Sequence, residues 1–277
     1  MSSSQGSSPS VDALLFNLRS VVMQILLAPA KIMYDRLPYA YQGILSQPRF
    51  QSEAETIALD MGQYSIEALG DMLGCNPQIA AQNKLRYQRF FDEAPQPALL
   101  TYHGQAYKHL KAESLTADEL RFAQAHLWIT SFLYGLLRPL DGIRPYRLEG
   151  NITLPCTDGK LLFSFWQSRL TDVLLEAVHA DDGILIHLAT EEFQHLFDWH
   201  RICREVEVIQ PLFYVGKGHR LKMQAVWAKS CRGAMTRFLL QQRPTTPSQL
   251  QAFCYEQFRY MPHLGEAAFP HFVRYDD

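Results

Sequence analysis

Short apolar segments that each end in a polar loop constrain the fold of this chain most. Each has the length and the branched or aromatic side chains that are typical of a buried strand. The predicted strands are Gln24–Ala28, Ala98–Tyr102, Leu127–Phe132 and Ile184–Leu188. If they lie parallel in one sheet, the loops that follow them gather along its carboxyl edge, where α/β sheets bind ligands. Those loops carry Lys31, His103, the arginines from Arg138 to Arg147, and Glu191.

Segments with helical periodicity lie between the strands and after them. The predicted helices are Ser52–Leu69, Pro77 to about Phe91, Thr116–Ala125, Leu161–His179, Trp227–Gln241 and a last one opened by Thr246 and Pro247. Glu205–Tyr214 and Leu221–Val226 are predicted to form a hairpin. A length of 277 residues allows one large domain or two small ones.

The ordered part of the chain is expected to begin at Met23. The first ten residues are rich in serine and have no periodic apolar face, which predicts disorder. The segment 11–22 fits a short amphipathic helix. Residues 1–22 are therefore interpreted as a disordered segment or an extension, and residues 23–277 carry the fold.

The overall charge excludes a protein whose whole surface attracts nucleic acid. Its formal net charge is −2, so any basic patch must be local. The 5 cysteines are an odd number without C-x-x-C spacing, which favours a reducing compartment over disulfides or a zinc site. No apolar run reaches the roughly 18 residues that span a bilayer. We therefore expect a cytosolic protein with no membrane segment, metal or cofactor.

The stretch from Trp128 to Asn151 is dense in arginine, proline and glycine, and we call residues 138–149 the arginine loop. It contains Arg138, Arg144 and Arg147, and two of these arginines are followed directly by proline, which favours an extended backbone. Asp141 and Glu149 can pair with the guanidinium groups. The pattern predicts a site for phosphate or carboxylate. The alternative is a buried arginine–carboxylate network that only joins two elements.

A second pattern resembles a helix-hairpin-helix, a module that binds nucleic-acid backbones. Gly74 and Asn76 both tolerate positive φ and lie between two predicted helices. A tight turn there would leave backbone N–H groups free to contact phosphate. The second helix carries Lys84 and Arg86. A plain helical hairpin would give the same pattern.

The segment between Glu207 and Glu256 contains no acidic residue. Its basic residues are Lys217, Arg220, Lys222, Lys229, Arg232, Arg237 and Arg243. Helical spacing places Lys229 and Arg232 on one face and Arg237 elsewhere. This pattern favours a phosphate-binding surface, unless the charges pair with acids elsewhere in the fold. The neighbouring Cys231 is either a packed thiol or, if exposed, an oxidant sensor.

These motifs together resemble the YaaA family of bacterial peroxide-stress proteins. The matching pieces, in family order, are LAPAK at Leu27–Lys31, YHGQAY at Tyr102–Tyr107, LYGLLRPLDGIRPYRLE at Leu133–Glu149, HLATEEF at His187–Phe193 and WAKSCRGAMTRFLL at Trp227–Leu240. The resemblance implies a cytosolic α+β protein, a single compact mixed fold with a helix-hairpin-helix-like element. It also implies DNA binding through a basic cleft and protection against iron-driven peroxide damage.

The chain departs from the family pattern at several positions. Ala28 stands where the family usually has serine, and Phe132 stands where it usually has a small glycine. Gly150-Asn151 replaces the usual Met-Gly, and Ser230-Cys231 follows Lys229 in place of a lysine and an alanine. One basic group of the implied cleft is therefore missing.

Two functions follow from these patterns. The first is sequence-independent binding of duplex and single-stranded DNA through phosphate contacts. The residues expected to make these contacts are Lys31, Gly74, Asn76, Lys84, Arg86, Arg138, Arg144, Arg147, Lys229 and Arg232. The second is an enzyme acting on a phosphate-bearing nucleotide or nucleic acid, with a site formed by Lys31, Arg138, Arg147, Glu149 and Lys229. An open basic groove favours the first function, and a closed pocket ringed by these residues favours the second.

Overall fold

A mostly parallel sheet forms the centre of the protein, whose computed structural model describes residues 23–218 and 220–276. The expectations for residues 1–22 lie outside these ranges. The strands are β1 (Gln24–Leu27), β2 (Gln96–Pro97), β3 (Leu127–Ser131), β4 (Gly135–Leu137), β5 (Gly142–Ile143), β6 (Ile184–Leu188), β7 (Glu207–Ile209), β8 (Leu212–Lys217), β9 (Arg220–Lys222), β10 (Cys254–Tyr255), β11 (Phe258–Glu266) and β12 (Phe269–Tyr275).

The α-helices lie between these strands, and three short 3₁₀ turns join them within the described ranges. The helices are α1 (Gln51–Gln63), α2 (Ile66–Leu73), α3 (Pro77–Gln88), α4 (Ala98–Thr101), α5 (Gln105–Leu110), α6 (Ala117–His126), α7 (Leu162–Ala180), α8 (Glu191–Gln194), α9 (Trp199–Glu205) and α10 (Ala225–Gln242). The 3₁₀ turns are Ala112–Ser114, Pro155–Thr157 and Pro247–Ala252. This mixture confirms the predicted α+β class.

The central sheet has the strand order β4-β3-β1-β6-β7. Strand β1 pairs in parallel with β3 on one side and with β6 on the other, while β4 turns back antiparallel to β3. The loops after β1, β3 and β6 therefore meet at one carboxyl edge, as the sequence predicted. All residues of β1 and β3 are buried, because helices and loops cover the sheet.

Two of the predicted elements in the first half of the chain are wrong. Ala98–Tyr102 is not a strand: Ala98–Thr101 forms the short helix α4, in which the amide of Tyr102 donates to the carbonyl of Ala98. Pro97 fixes the backbone just before it, and the run has too few branched residues to favour a strand. The predicted helix Ser52–Leu69 is two helices, because Ser65 takes an extended conformation and caps α2 through the amide of Ala68.

A second sheet, with the strand order β10-β11-β12-β8-β9, covers one side of α10. Strands β8 and β9 form the predicted hairpin, but β7, which was expected to be part of it, joins the central sheet instead. The segment after Thr246 is the 3₁₀ turn Pro247–Ala252 and then strands, not the predicted α-helix. The predicted capping box of α6 is present: Thr116 and Glu119 bond reciprocally at 2.7 and 3.2 Å.

Helix α10 packs closely against α5, and a glycine makes this contact possible. A Cβ atom at Gly233 would lie 1.8 Å from the carbonyl oxygen of Ala106, so only glycine allows the two helices this separation. At Gly104, just before α5, an added Cβ atom would lie 2.6 Å from the Cβ of Ala30. These two contacts bring α10, α5 and the loop after β1 together at the carboxyl edge of the central sheet.

Candidate phosphate-binding site

A cavity of about 450 Å³ opens at the carboxyl edge of the central sheet, and we call it the edge pocket. The segments that form it are the loop after β1 (27–32), the start of α5 (103–108), Phe132 after β3, the end of the arginine loop (146–149), the segment after β6 (188–193) and α10. Its size is that of a small-ligand site. The topological argument from the sequence therefore located this cavity.

Positive charge dominates the edge pocket. Among the described residues that line it, the cations are Lys31, Lys108, Arg147, Lys229 and Arg232, and the carboxylates are Glu149 and Glu192. The whole chain has a formal net charge of −2, so this excess of cations is a local property of the pocket. A concave, cationic site of this kind attracts anions.

Glu149 holds two of these cations in place. Its carboxylate accepts hydrogen bonds from the Nζ of Lys31 at 2.8 and 3.0 Å, and an Nη of Arg147 lies 3.4 Å away. The side chains of Arg147 and Glu149 are only 16% and 13% exposed. The Nε of Arg147 is buried and has no hydrogen-bond partner within the described part of the chain. Such an unpaired charged donor is costly unless a ligand completes it.

Buried tyrosines fix the backbone beside Arg147. The hydroxyl of Tyr146 is hydrogen bonded to those of Tyr102 at 2.9 Å and Ser131 at 2.6 Å, and Tyr87 donates to the carbonyl of Arg147 at 2.6 Å. Burial raises the pKa of Tyr146 to about 12, so its hydroxyl stays protonated at neutral pH. The network holds Arg147 at the pocket without competing for its guanidinium group.

Helix α10 brings Lys229 and Arg232 to the pocket, as the helical spacing predicted. Lys229 is exposed, whereas Arg232 is half-buried, and burial lowers the pKa of Arg232 below its ordinary value. Neither forms an ion pair with a described carboxylate. Arg237 lies elsewhere and donates to the carbonyls of Leu110 and Lys111, each at 3.0 Å. The acid-free segment is therefore not one basic surface: Arg243, for example, pairs with Asp118.

Phe132 and Gly150 pack together at the wall of this pocket. The ring of Phe132 stacks on that of Phe193, with centroids 5.0 Å apart, and meets Phe163 edge-on. A Cβ atom at Gly150 would lie 2.7 Å from Phe132 and 2.4 Å from Phe163. Glycine at position 150 is therefore what makes room for the larger ring at position 132.

Arg138 does not lie at the edge pocket, so its predicted place in the site is wrong. Its Nη1 donates to the carbonyl of Ala125 at 2.9 Å, and its Cζ lies 3.3 Å from the ring centroid of Trp128. Because β4 runs antiparallel to β3, Arg138 returns to the beginning of β3, at the opposite edge of the sheet. Burial lowers the pKa of Arg138 to about 10. Arg138 thus makes its contacts within the fold, with a backbone carbonyl and an aromatic ring.

Arg86 and Arg144 line a different cavity, which lies between α3 and residues 144–145 and which we call the Arg144 cleft. The Nε of Arg86 pairs with Asp35 at 2.8 Å, and the Nε of Arg144 donates to the carbonyl of Glu93 at 2.7 Å. The structure therefore splits the predicted phosphate contacts between two cavities.

The helical hairpin at Gly74 and Asn76 is present, but the amide of Gly74 and the side chains of Asn76 and Lys84 bond within the protein. Gly74 takes positive φ (53°) and ends α2, and its amide and that of Cys75 donate back to α2. The Oδ1 of Asn76 caps α3 through the amide of Ile79. The Nζ of Lys84 donates to the carbonyls of Gly62 and Tyr64 at 2.5 and 2.7 Å. The expected free amides at Gly74 and the free Lys84 are therefore wrong.

We expect Lys84→Ala to lower the free energy of unfolding by about 1–3 kcal/mol, because the carbonyls at the end of α1 lose a charged donor. Affinity for an anionic ligand should be unchanged. Chemical denaturation and a binding titration on the same sample measure both effects. If the variant is as stable as the wild type but binds its ligand less well, Lys84 belongs to the ligand-binding surface.

The other candidate chemistry of the sequence has no support at these positions. Cys231 is fully buried, and burial raises its pKa to about 12, so it is a packed thiol. No group of three or more His, Cys, Asp or Glu side chains in the described ranges could hold a metal ion.

Two charged residues that line the edge pocket, Lys108 and Glu192, were not predicted from the sequence. Both lie within a few residues of His103 and Glu191, which were predicted to lie in loops at this edge, so the sequence contained a signal for them.

No helix within the described ranges has the length and hydrophobicity needed to cross a membrane. The fold and the edge pocket thus define an α+β protein with a cationic pocket at the carboxyl edge of a mostly parallel sheet.

The comparisons with known proteins agree with the resemblance seen in the sequence. The chain belongs to the family described as "Peroxide stress protein YaaA", whose profile matches residues 23–264. A "UPF0246 protein" of Bacteroides thetaiotaomicron is 44% identical over 246 residues, covering 88% of this chain and 95% of that protein. One of Phocaeicola vulgatus is 46% identical over 219 residues, with 78% and 86% covered. The family description supports a role in the response to oxidative stress.

Proposed function

We propose that this protein acts in the peroxide-stress response by binding DNA, duplex and single-stranded, through phosphate contacts at the edge pocket. Bound in this way, it would limit iron-driven damage to DNA. The cytosol, where DNA is accessible in a bacterium, remains the expected location. The binding is independent of sequence, because lysine and arginine contacts to phosphate carry no information about the bases.

The observation that carries the proposal is a set of pocket cations whose capacity to bind an anion is not fully used within the described part of the chain. Arg147 keeps a buried Nε without an acceptor, and Lys229 and Arg232 form no ion pair with a described carboxylate. The contribution of the helical hairpin is smaller than the sequence indicated, since Lys84 and Arg86 bond within the protein. The dimensions of the pocket suit one nucleotide unit, so the rest of a DNA strand would lie across its rim.

We expect the protein to bind 20-nucleotide duplex and single-stranded DNA of unrelated sequences with similar affinity. The affinity should fall steeply as salt rises, because each neutralised phosphate releases a counterion. Fluorescence anisotropy across roughly 50–300 mM salt measures this dependence. If folded protein binds no DNA at the lowest salt, the proposal fails. A strong preference for one sequence would also contradict it.

The set of predicted residues that line the edge pocket supports a second candidate function, an enzyme acting on a phosphate-bearing nucleotide or nucleic acid. Of the residues predicted for such a site, Lys31, Arg147, Glu149 and Lys229 line the pocket, whereas Arg138 does not. Glu149 is the one that could accept a proton, with two cations positioned to bind phosphate beside it. The reaction would need the carboxylate of Glu149, and simple DNA binding would not.

We expect Glu149→Gln to tighten DNA binding several-fold. The substitution removes the negative charge that holds Lys31 and Arg147, so both cations become available to phosphate. If the protein is an enzyme, the same substitution should abolish turnover, because the carboxylate is lost, while the substrate still binds. Anisotropy titrations, together with chromatography of nucleotide and DNA substrates after incubation, separate the two functions. Weaker DNA binding by this variant would mean that the phosphate does not meet these cations.

A further inference from the structure

The Arg144 cleft is a second cavity, also of about 450 Å³, and the arginine loop separates it from the edge pocket. Arg144 and Pro145 face the cleft, whereas Tyr146 to Glu149 face the pocket. Helix α3 forms the opposite wall of the cleft. Neither the family description nor the function proposed above assigns any role to this cavity.

Arginine dominates the polar lining of the cleft. Among its described residues are the guanidinium groups of Arg36, Arg86, Arg89 and Arg144, against the carboxylates of Asp35 and Glu93. Asp35 is paired with Arg86 at 2.8 Å and Glu93 with Arg36 at 3.5 Å. Arg89 and Arg144 form no ion pair with a carboxylate in the part of the chain that the structure describes. The cleft therefore presents two uncommitted guanidinium groups.

Arg144 is held in a fixed position before any ligand arrives. Its Nε donates to the carbonyl oxygen of Glu93 at 2.7 Å, and its Cζ lies 5.2 Å from the ring centroid of Phe90. This hydrogen bond uses the inner nitrogen of the side chain and leaves the planar end of the guanidinium group for a ligand. A preorganised guanidinium group loses little side-chain entropy when it binds a carboxylate or phosphate.

The floor of the cleft is apolar. Leu85 is 50% exposed on α3 and forms the accessible apolar surface, while the buried ring of Phe90 lies beneath Arg144. An apolar surface beside two cations does not suit a bare inorganic ion. It suits a ligand that has both an acidic group and an apolar or planar body.

We propose that the Arg144 cleft binds a small organic anion. Its carboxylate or phosphate pairs with Arg89 and Arg144, and its apolar body lies on Leu85. This site is separate from the edge pocket, and the proposal does not depend on DNA binding there. It makes the arginine loop a wall shared by two sites, with Arg144 serving one and Arg147 the other.

Titration calorimetry with 1-naphthyl phosphate as the probe tests this assignment, with 1-naphthol and inorganic phosphate as the matched halves of the probe. We expect 1-naphthyl phosphate to bind at least tenfold more tightly than either half. Arg89→Gln and Leu85→Asp, both at exposed positions, should each weaken the binding at least tenfold. Lys160→Gln, which removes an exposed charge outside both cavities, should leave it unchanged. The titration repeated in Lys229→Gln should still show the cleft site.

Three results would overturn the proposal. In the first, 1-naphthyl phosphate binds equally to the wild type, Arg89→Gln and Leu85→Asp. In the second, the binding disappears in Lys229→Gln, which would place the probe in the edge pocket. In the third, Arg89→Gln weakens DNA binding as much as Lys229→Gln does, which would make the cleft a nucleic-acid surface. Failure of DNA binding at the edge pocket alone would leave the effect of Arg89→Gln on the probe intact.

Discussion

The double substitution Lys229→Gln with Arg232→Gln is expected to weaken DNA binding by roughly 60-fold at 0.1 M salt. Each phosphate contact contributes about 0.9 to the slope of log K against log salt, so one contact is worth roughly eightfold at this concentration. The same variant should have a slope shallower by about two units. Both side chains lie on one face of α10 at the edge pocket, so one DNA strand can meet them together.

A matched control separates this effect from a general loss of positive charge. Arg121→Gln with Lys160→Gln also removes two positive charges, at exposed positions that line neither cavity. We expect its affinity and salt slope to stay close to those of the wild type. An equal loss in both double variants would mean that DNA does not bind at the edge pocket. A loss limited to certain DNA sequences would indicate base recognition instead of phosphate contacts.

Arg138→Ala should destabilise the protein by about 2–4 kcal/mol without weakening DNA binding. The substitution removes the stacking on Trp128 and leaves the carbonyl of Ala125 without its charged donor. Arg147→Ala should have the opposite profile. Its free energy of unfolding should change by no more than about 1 kcal/mol, because Glu149 keeps Lys31 as a partner, while the DNA affinity falls several-fold.

Denaturant unfolding and DNA titration of the two variants test this contrast directly. Arg138→Lys is a useful third variant, since it keeps the charge but loses the planar group that stacks on Trp128. We expect it to recover only part of the lost stability. If Arg138→Ala were as stable as the wild type and bound DNA weakly, Arg138 would belong to the binding surface after all.

The sequence predicted where the edge pocket lies better than it predicted which residues line it. The strands β1, β3 and β6 were recognisable because short runs rich in branched side chains and flanked by turn residues are typical of strands. The prediction of a strand at Ala98–Tyr102 was wrong, since a five-residue apolar run with a single β-branched side chain does not distinguish a strand from a helical turn. His103 nevertheless lies at the pocket, because it follows Tyr102, which forms a β-bridge with Met33 in the loop after β1.

The three arginines of the arginine loop show the limit of sequence reasoning most clearly. They fall within ten residues of one another, yet Arg138 lies at the amino edge of β3, Arg144 in the cleft and Arg147 in the edge pocket. The antiparallel return of β4 separates the first from the third. No local pattern indicates such a return, because strand direction is decided by pairing with a strand elsewhere.

The sequence by itself indicated the strands β1, β3 and β6 with polar loops after them, the hairpin turn at Gly74 and the face of α10 that carries Lys229 and Arg232. These features depend on local preference and periodicity, which neighbouring residues set. Only the tertiary structure decided which cations are free to bind a ligand. The partners of Lys84, Arg86 and Arg138 are brought to them by packing of separate elements, whereas Arg147 and Arg232 are left at the pocket with unpaired capacity.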